Sequence, residues 1–345
     1  MKNTTIQQNE EARLGPLSQL MELSQVEQKA RGLLFTPREI AQQPDTWKTT
    51  LAIFRQHQAE VSSFLEHAGV LAPLEERPVV MLVGAGTSDY IGRALALLLR
   101  EKWGCEVSAC ASTELLTNLS SYIVSGRKYL WISFSRSGDS PEAVAILKQA
   151  IEQYPEISHL ILTCNAHAQM IEVASAALHS YVVVLDDAVN DRSLAMTSSF
   201  TNMLIMGQCL AHAWSIEEYA PILEQLSDAG HDFLPKASRE AAATAALLLP
   251  RACFVGSGTL AGVAKESALK VTEMTAGQVK SISETVLGLR HGPMAALDTE
   301  TLFVCFVSSD RRRQQYASDL LQEISQKGIT GRRIVVGPGS AQHLF

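Results

Sequence analysis

From about Pro78 onward, short apolar runs alternate with longer amphipathic ones, the pattern of strands and helices taking turns. Residues 79–83 read as a strand closed by Gly84-Ala85-Gly86-Thr87-Ser88, and 90–103 as the helix after it. Residues 129–134 form a second strand, with a helix over 142–153, and 159–163 and 181–185 complete the set. Strands joined through helices lie parallel, and a parallel sheet needs helices on both faces. The expected class is α/β.

The set recurs. Val83-Gly84-Ala85-Gly86-Thr87 returns as Val255-Gly256-Ser257-Gly258-Thr259, an offset of 172. Phe134 and Phe306 share that offset, as do Ile161-Leu162-Thr163 and Arg333-Ile334-Val335. Three strands in register predict a duplicated domain. The expected division is a helical leader over 1–75, a first copy over 76–220 and a second over 221–345. The counterpart of the first copy's fourth strand would occupy 353–357, past Phe345. The second copy is therefore expected to be C-terminally incomplete, with an unpaired sheet edge.

The leader reads as a helical arm embracing the first copy, its first ~15 residues mobile. Thr36-Pro37-Arg38-Glu39 has Thr at N-cap, Pro at N1 and Glu at N3, the signature of a capping box. Residues 46–64 carry apolar side chains at helical spacing.

Composition narrows the class. Hydrophobic content of 46% and charged content of 19% describe a globular chain with ample core. A formal net charge of −7 with no basic block argues against nucleic acid as a partner, and Arg311-Arg312-Arg313 fits a solvated helix start. The six cysteines form no C-x-x-C pair and read as reduced core residues. The N-terminus lacks an apolar signal core, and no apolar stretch reaches the ~20 residues that span a bilayer. Cytoplasm is the expected compartment, with no membrane partner.

Chemistry concentrates in two places. Ser135-Arg136-Ser137-Gly138-Asp139-Ser140-Pro141 places three hydroxyls and several backbone N–H groups where a strand gives way to a helix. That junction favours an anion, and a phosphate fits. A plain N-cap would need only Ser140. The second copy has Phe306-Val307-Ser308-Ser309-Asp310 instead and lacks this loop. It carries Glu266, Lys270 and Glu273 on one predicted helical face, followed by Arg290-His291-Gly292-Pro293. Taken alone, a solvated salt-bridged face accounts for the trio, and a lone histidine is usually structural. Together, carboxylate and imidazole suffice to move protons on a sugar near neutral pH. Position 89 is Asp, so the dinucleotide fingerprint is absent; there is no P-loop, and the nine histidines show no metal-ligand spacing. No metal or nucleotide cofactor is expected.

Gly84-Ala85-Gly86-Thr87-Ser88, the 135–140 loop and the 266–273 helix with Arg290-His291-Gly292-Pro293 resemble double sugar-isomerase (SIS) domain proteins. Thr36-Pro37-Arg38-Glu39-Ile40 with Trp47, the run from Asn190-Asp191-Arg192-Ser193 to Phe200, and Val307-Ser308-Ser309-Asp310 resemble its amino-sugar catabolic branch. That branch comprises bacterial galactosamine-6-phosphate deaminase/isomerases, often labelled tagatose-6-phosphate ketose/aldose isomerases, and it serves N-acetylgalactosamine catabolism. The resemblance implies two tandem SIS domains and an amino-sugar phosphate as substrate. It implies that Ser135, Ser137 and Ser140, with Thr87 and Ser88, hold the sugar phosphate. It assigns proton transfer between C1 and C2 to Glu273, ring opening to His291, and a place beside them to Lys270. It also implies a homodimer in which His291 reaches a neighbouring subunit's site. An amidotransferase-type synthase would need a nucleophilic cysteine at its start, and residues 1–104 contain none. The alternatives that stay open are a non-catalytic phosphosugar-binding protein, an inactive remnant, and an aldose/ketose isomerase without deamination.

Overall fold

The computed structural model describes residues 14–338, which form two compact units dividing between Ala243 and Thr244. The mobility expected of the first residues falls almost wholly outside the described part.

In the first unit the leader folds into α1 (Pro16–Glu22), α2 (Gln25–Ala30), α3 (Thr36–Ala41) and α4 (Gln43–His67). The alternating part follows as β1 (Val79–Gly84), α5 (Thr87–Trp103), β2 (Glu106–Ala111), α6 (Ser112–Tyr122), β3 (Tyr129–Ser135), α7 (Pro141–Gln153), β4 (Ser158–Thr163), α8 (Gln169–Ala174) and β5 (Ser180–Val184). Helices α9 (Ser198–Ala211) and α10 (Ile216–Ala245) close it, and the boundary expected at 220/221 falls near the start of α10.

The strands run parallel in the order β2-β1-β3-β4-β5. Successive residues of a strand face opposite sides, so one apolar run feeds two cores. Val80, Leu82, Leu130 and Ile132 pack with Phe54 and Leu65 of α4, Leu95 of α5 and Met203 of α9. Met81, Val83 and Trp131 pack on the other face with Leu115 of α6 and Ile146 of α7. The leader is thus part of the first core through α4, rather than an arm laid over it.

The second unit repeats the plan with β6 (Arg251–Gly256), α11 (Leu260–Met274), β7 (Lys280–Glu284), β8 (Thr301–Phe306), α12 (Arg311–Lys327) and β9 (Arg332–Val336). Its parallel order, β7-β6-β8-β9, is that of β2-β1-β3-β4. The bounds of β1 shifted by 172 are those of β6, and β3 and β8 begin at the same offset. Among the described residues no counterpart of β5 stands beside β9. The six cysteines are buried and unbridged, and Arg311–Arg313 lie exposed at the start of α12.

Two local readings are corrected. Helix α5 starts at Thr87 rather than 90, because Gly86, at φ +56°, forms its N-cap and lets the chain turn into the helix at once. The capping box at Thr36 does not form. Phe35 is the N-cap of α3, without a side-chain cap bond, and Thr36 already lies inside the helix. A capping box is present one element earlier, between Ser24 and Glu27 on α2.

The turn after β1 shows why glycine recurs 172 residues on. A Cβ on Gly84 would lie 2.5 Å from the Ser88 carbonyl carbon, and one on Gly256 would lie 2.4 Å from the Leu260 oxygen. The helix backbone passes too close to the strand end for any side chain. Gly84→Ala is expected to cost about 1–3 kcal/mol through overpacking. Chemical denaturation of wild type and variant checks this, and an unchanged midpoint would refute it.

Candidate active site

A parallel sheet of order β2-β1-β3-β4-β5 reverses its winding between β1 and β3, and ligands of such folds bind outside the strand ends at that point. Both hydroxyl-rich segments lie there. Thr87 and Ser88 follow β1, and the 135–140 loop follows β3. The five residues expected to hold phosphate therefore share one end of one sheet. Thr87 and Ser88 are buried in the first turn of α5, whereas Ser137 and Ser140 are half-buried.

The loop is braced by its own backbone. Gly138 N–H donates to Ser135 Oγ at 3.0 Å, Asp139 N–H to Ser137 Oγ at 3.3 Å, and Ala143 N–H to Ser140 Oγ at 3.3 Å. Each hydroxyl accepts one bond and, among the described residues, donates none, which leaves three O–H donors for a ligand. Gly138 sits at φ +63°, and a Cβ there would meet Ala168 Cβ at 2.3 Å, so glycine is required. Asp139 faces away from anion binding. Its carboxylate accepts from Gln169 N–H at 2.8 Å and from Asn165 Nδ2 at 3.1 Å, tying the loop to the segment after β4.

In the second unit the face predicted from spacing exists, and it is not a solvated one. Lys270 Nζ lies 3.2 Å from Glu266 and 2.6 Å from Glu273. Glu266 is 4% exposed, and the Lys270 and Glu273 side chains are about four-fifths covered. Glu273 stands 13 residues along α11 from Leu260, roughly 20 Å at 1.5 Å per residue. The pair is thus remote from the strand ends where its own unit would bind a ligand.

His291 follows a short 3₁₀ turn, Gly288–Arg290, and precedes Gly292, whose φ is +123°. The turn is pinned on both sides. Leu289 is fully buried, and Arg290 Nε donates to Glu323 of α12 at 2.7 Å. Hydrogen bonds from Lys327 and Arg290 hold the Glu323 carboxyl below its ordinary value. His291 itself is exposed, and its ring makes no hydrogen bond to the described residues. No direct bond joins it to Lys270 or Glu273.

The structure adds residues that local reading missed. Arg136 Nη1 donates to the Ser193 carbonyl at 2.9 Å, and the Arg136 carbonyl accepts from Cys164 N–H and Thr163 Oγ1. Asp191 accepts from the N–H groups of Thr197, Ser198 and Ser199 and so caps α9 from upstream. Trp47 Nε1 donates to Thr201 Oγ1 at 3.0 Å, tying α4 to α9 one residue past the second branch-like motif. A cavity of about 470 Å³ opens beside them, bordered by Phe35, Arg38, Glu39, Gln42 and Arg192. None of the five expected phosphate ligands lines it. Among the described residues, no helix is long and apolar enough to cross a membrane.

No family model matches the chain. The D-galactosamine-6-phosphate deaminase AgaS of Escherichia coli O157:H7 is 35% identical over 320 residues, covering 89% of this chain and 79% of that protein. The crystal structure of tagatose-6-phosphate ketose/aldose isomerase from Escherichia coli superposes with a TM-score of 0.78 at 33% identity, covering 87% of this chain and 80% of that one. The C-terminal domain of glucosamine-fructose-6-phosphate aminotransferase from Francisella tularensis matches with a TM-score of 0.69 at 17% identity, over 89% of this chain and 84% of that one, and shows the fold alone. At this identity and coverage the chain belongs to the AgaS family of phosphosugar deaminase/isomerases, built on the SIS fold.

Proposed function

We propose that the protein converts galactosamine 6-phosphate and water to tagatose 6-phosphate and ammonia. The observation that carries this reading is the set of three serine hydroxyls at the winding reversal of the first sheet, each fixed as an acceptor and, among the described residues, unused as a donor. A dianionic phosphate accepts from all three and is further favoured by the start of α7. The relatives' names supply the amino sugar.

In this reading the bound phosphate orients the carbons, so the catalytic groups need only move protons. His291 transfers the proton that opens the ring. Glu273 removes the C2 proton as O1 gains a proton, giving an enolamine, and returns it to C1 as the nitrogen gives up a proton, giving a C2 imine. Water adds to that imine, the C–N bond breaks, and ammonia leaves with a C2 ketone behind. Lys270, ion-paired to both Glu266 and Glu273, fixes the carboxylate's orientation. The exposed, unbonded ring of His291 suits service in a second copy's site, in a homodimer with shared sites.

Purified protein given galactosamine 6-phosphate is expected to release one ammonia per ketose formed, followed by an ammonia-coupled assay and ³¹P NMR. Glucosamine 6-phosphate tests the epimer. Exchange of the C2 proton with deuterated solvent without ammonia would replace the reading with simple isomerisation. Binding of both epimers without exchange or ammonia would replace it with a phosphosugar-binding protein.

A further inference from the structure

The sequence assigns Glu39 to the cap of its own helix, and the structure withdraws it from that task. Its carboxylate instead reaches a segment more than 150 residues away. Oε1 accepts from Arg192 N–H at 2.6 Å and from Ser193 N–H at 3.3 Å, and Oε2 accepts from Ser193 Oγ at 2.6 Å. Glu39 is 7% exposed and has no cation in ion-pair range among the described residues. A buried carboxylate held only by loop donors is costly to keep if packing is its whole purpose, because a neutral side chain would fill the space without desolvating a charge.

The turn it pins has one further partner. The Ser193 carbonyl accepts from Arg136 Nη1 at 2.9 Å, and Arg136 stands between Ser135 and Ser137. Its own carbonyl is held by Thr163 of β4 and by Cys164 after it, at 3.2 and 3.1 Å. The residue at the centre of the serine loop is thus fixed from its backbone and from its guanidinium, the latter through Glu39. The clamp is reinforced around Glu39, since Ser198 Oγ donates to the Glu39 carbonyl at 2.5 Å and Gln42 Nε2 to the Ala188 carbonyl at 2.6 Å.

We propose that Glu39 is a positioning residue for the phosphate loop. It holds the Arg192–Ser193 turn so that the Ser193 carbonyl keeps Arg136 in place and the flanking hydroxyls aimed at one point. This rests on the serine loop being the phosphate anchor. Glu39 touches no reacting atom, so its loss loosens binding rather than chemistry.

The test measures the Kd of galactosamine 6-phosphate by calorimetry, kcat and KM from ammonia release, and thermal melting, all on the full chain. Glu39→Gln keeps one acceptor oxygen but replaces the one that Ser193 Oγ donates to with an N–H₂. That hydroxyl then turns to its other acceptor, the Ala195 carbonyl at 2.8 Å, and the charged hold on the turn is lost. The variant is expected to raise Kd and KM roughly tenfold while kcat stays within about threefold, the pattern of lost uniform binding. Arg136→Met is expected to do the same, and the double variant no more than the larger single change, because both break one chain of contacts. A lowered melting temperature with unchanged Kd would make Glu39 a structural residue and overturn the proposal, as would effects that multiply in the double variant. Should Glu39→Gln fail to fold, Ser193→Ala removes the hydroxyl's contacts to Glu39 and to the Ala195 carbonyl while leaving the backbone bonds; a Kd raised about twofold to threefold supports the proposal, and an unchanged Kd overturns it. Ser137→Ala separates the premise. If it leaves Kd unchanged, the phosphate anchor lies elsewhere and the proposal falls with it. If Ser137→Ala weakens binding and Glu39→Gln does not, only the positioning role is lost.

Discussion

Glu273→Gln is expected to lower ammonia release from galactosamine 6-phosphate by roughly 10²–10⁴-fold, the usual contribution of a positioned acid–base group. The Kd of the sugar phosphate is expected to stay within about twofold, since the phosphate is held by other residues. The amide matches the carboxylate in size but cannot accept a proton from C2. The fold should tolerate the change: the Lys270 ammonium keeps Glu266 at 3.2 Å, so no cation is stranded in a half-buried place. Turnover measured beside calorimetric binding decides the matter. Equal loss of binding and turnover would show that Glu273 holds substrate, and undiminished turnover would remove it from the chemistry altogether.

A second large effect is expected from His159, which the proposed reaction does not use. It stands on β4, 1% exposed, edge-on to Trp131 at 5.6 Å, and neither ring nitrogen has a hydrogen-bond partner among the described residues. Burial pushes its pKa down to about 4. In the unfolded chain the ring titrates near 6.5, so below that pH the unfolded state binds a proton that the folded state refuses. Stability is therefore fully present above about pH 7 and falls as pH drops toward 4. The loss is about 2 kcal/mol by pH 5 and about 3 by pH 4. His159→Leu removes both the proton and two buried polar atoms without partners. Its melting advantage over wild type is expected to be about 4–8 °C larger at pH 5 than at pH 7.5. Parallel pH dependences for the two proteins would show that His159 does not titrate on unfolding.

Much of this was legible from local pattern. Strands showed because β-branched and aromatic runs end at glycines and hydroxyls, and the duplication showed because three of them repeat at one spacing. The serine loop showed because its residues are consecutive. Glu266, Lys270 and Glu273 showed as a face, since helical geometry alone sets that. Their burial did not show, because it depends on what packs against α11. Thr36 and Glu39 were misread for the same reason. The capping-box spacing is a purely local preference, while Glu39 is recruited by donors on a distant turn. A carboxylate that finds two N–H groups and a hydroxyl on one turn satisfies three donors, more than the one or two a capping box would engage.

The chain by itself determined the element order, the twofold plan and the residue types available for phosphate binding and proton transfer, because each depends on neighbours a few positions away. Only the tertiary structure decided that Thr87–Ser88 and Ser135–Ser140 share one end of one sheet, that the Lys270 pairings are sheltered from solvent, and that Glu39 reaches Ser193. Those facts rest on contacts across tens to hundreds of residues, where sheet order and the desolvation of charge choose among partners that local spacing leaves equivalent.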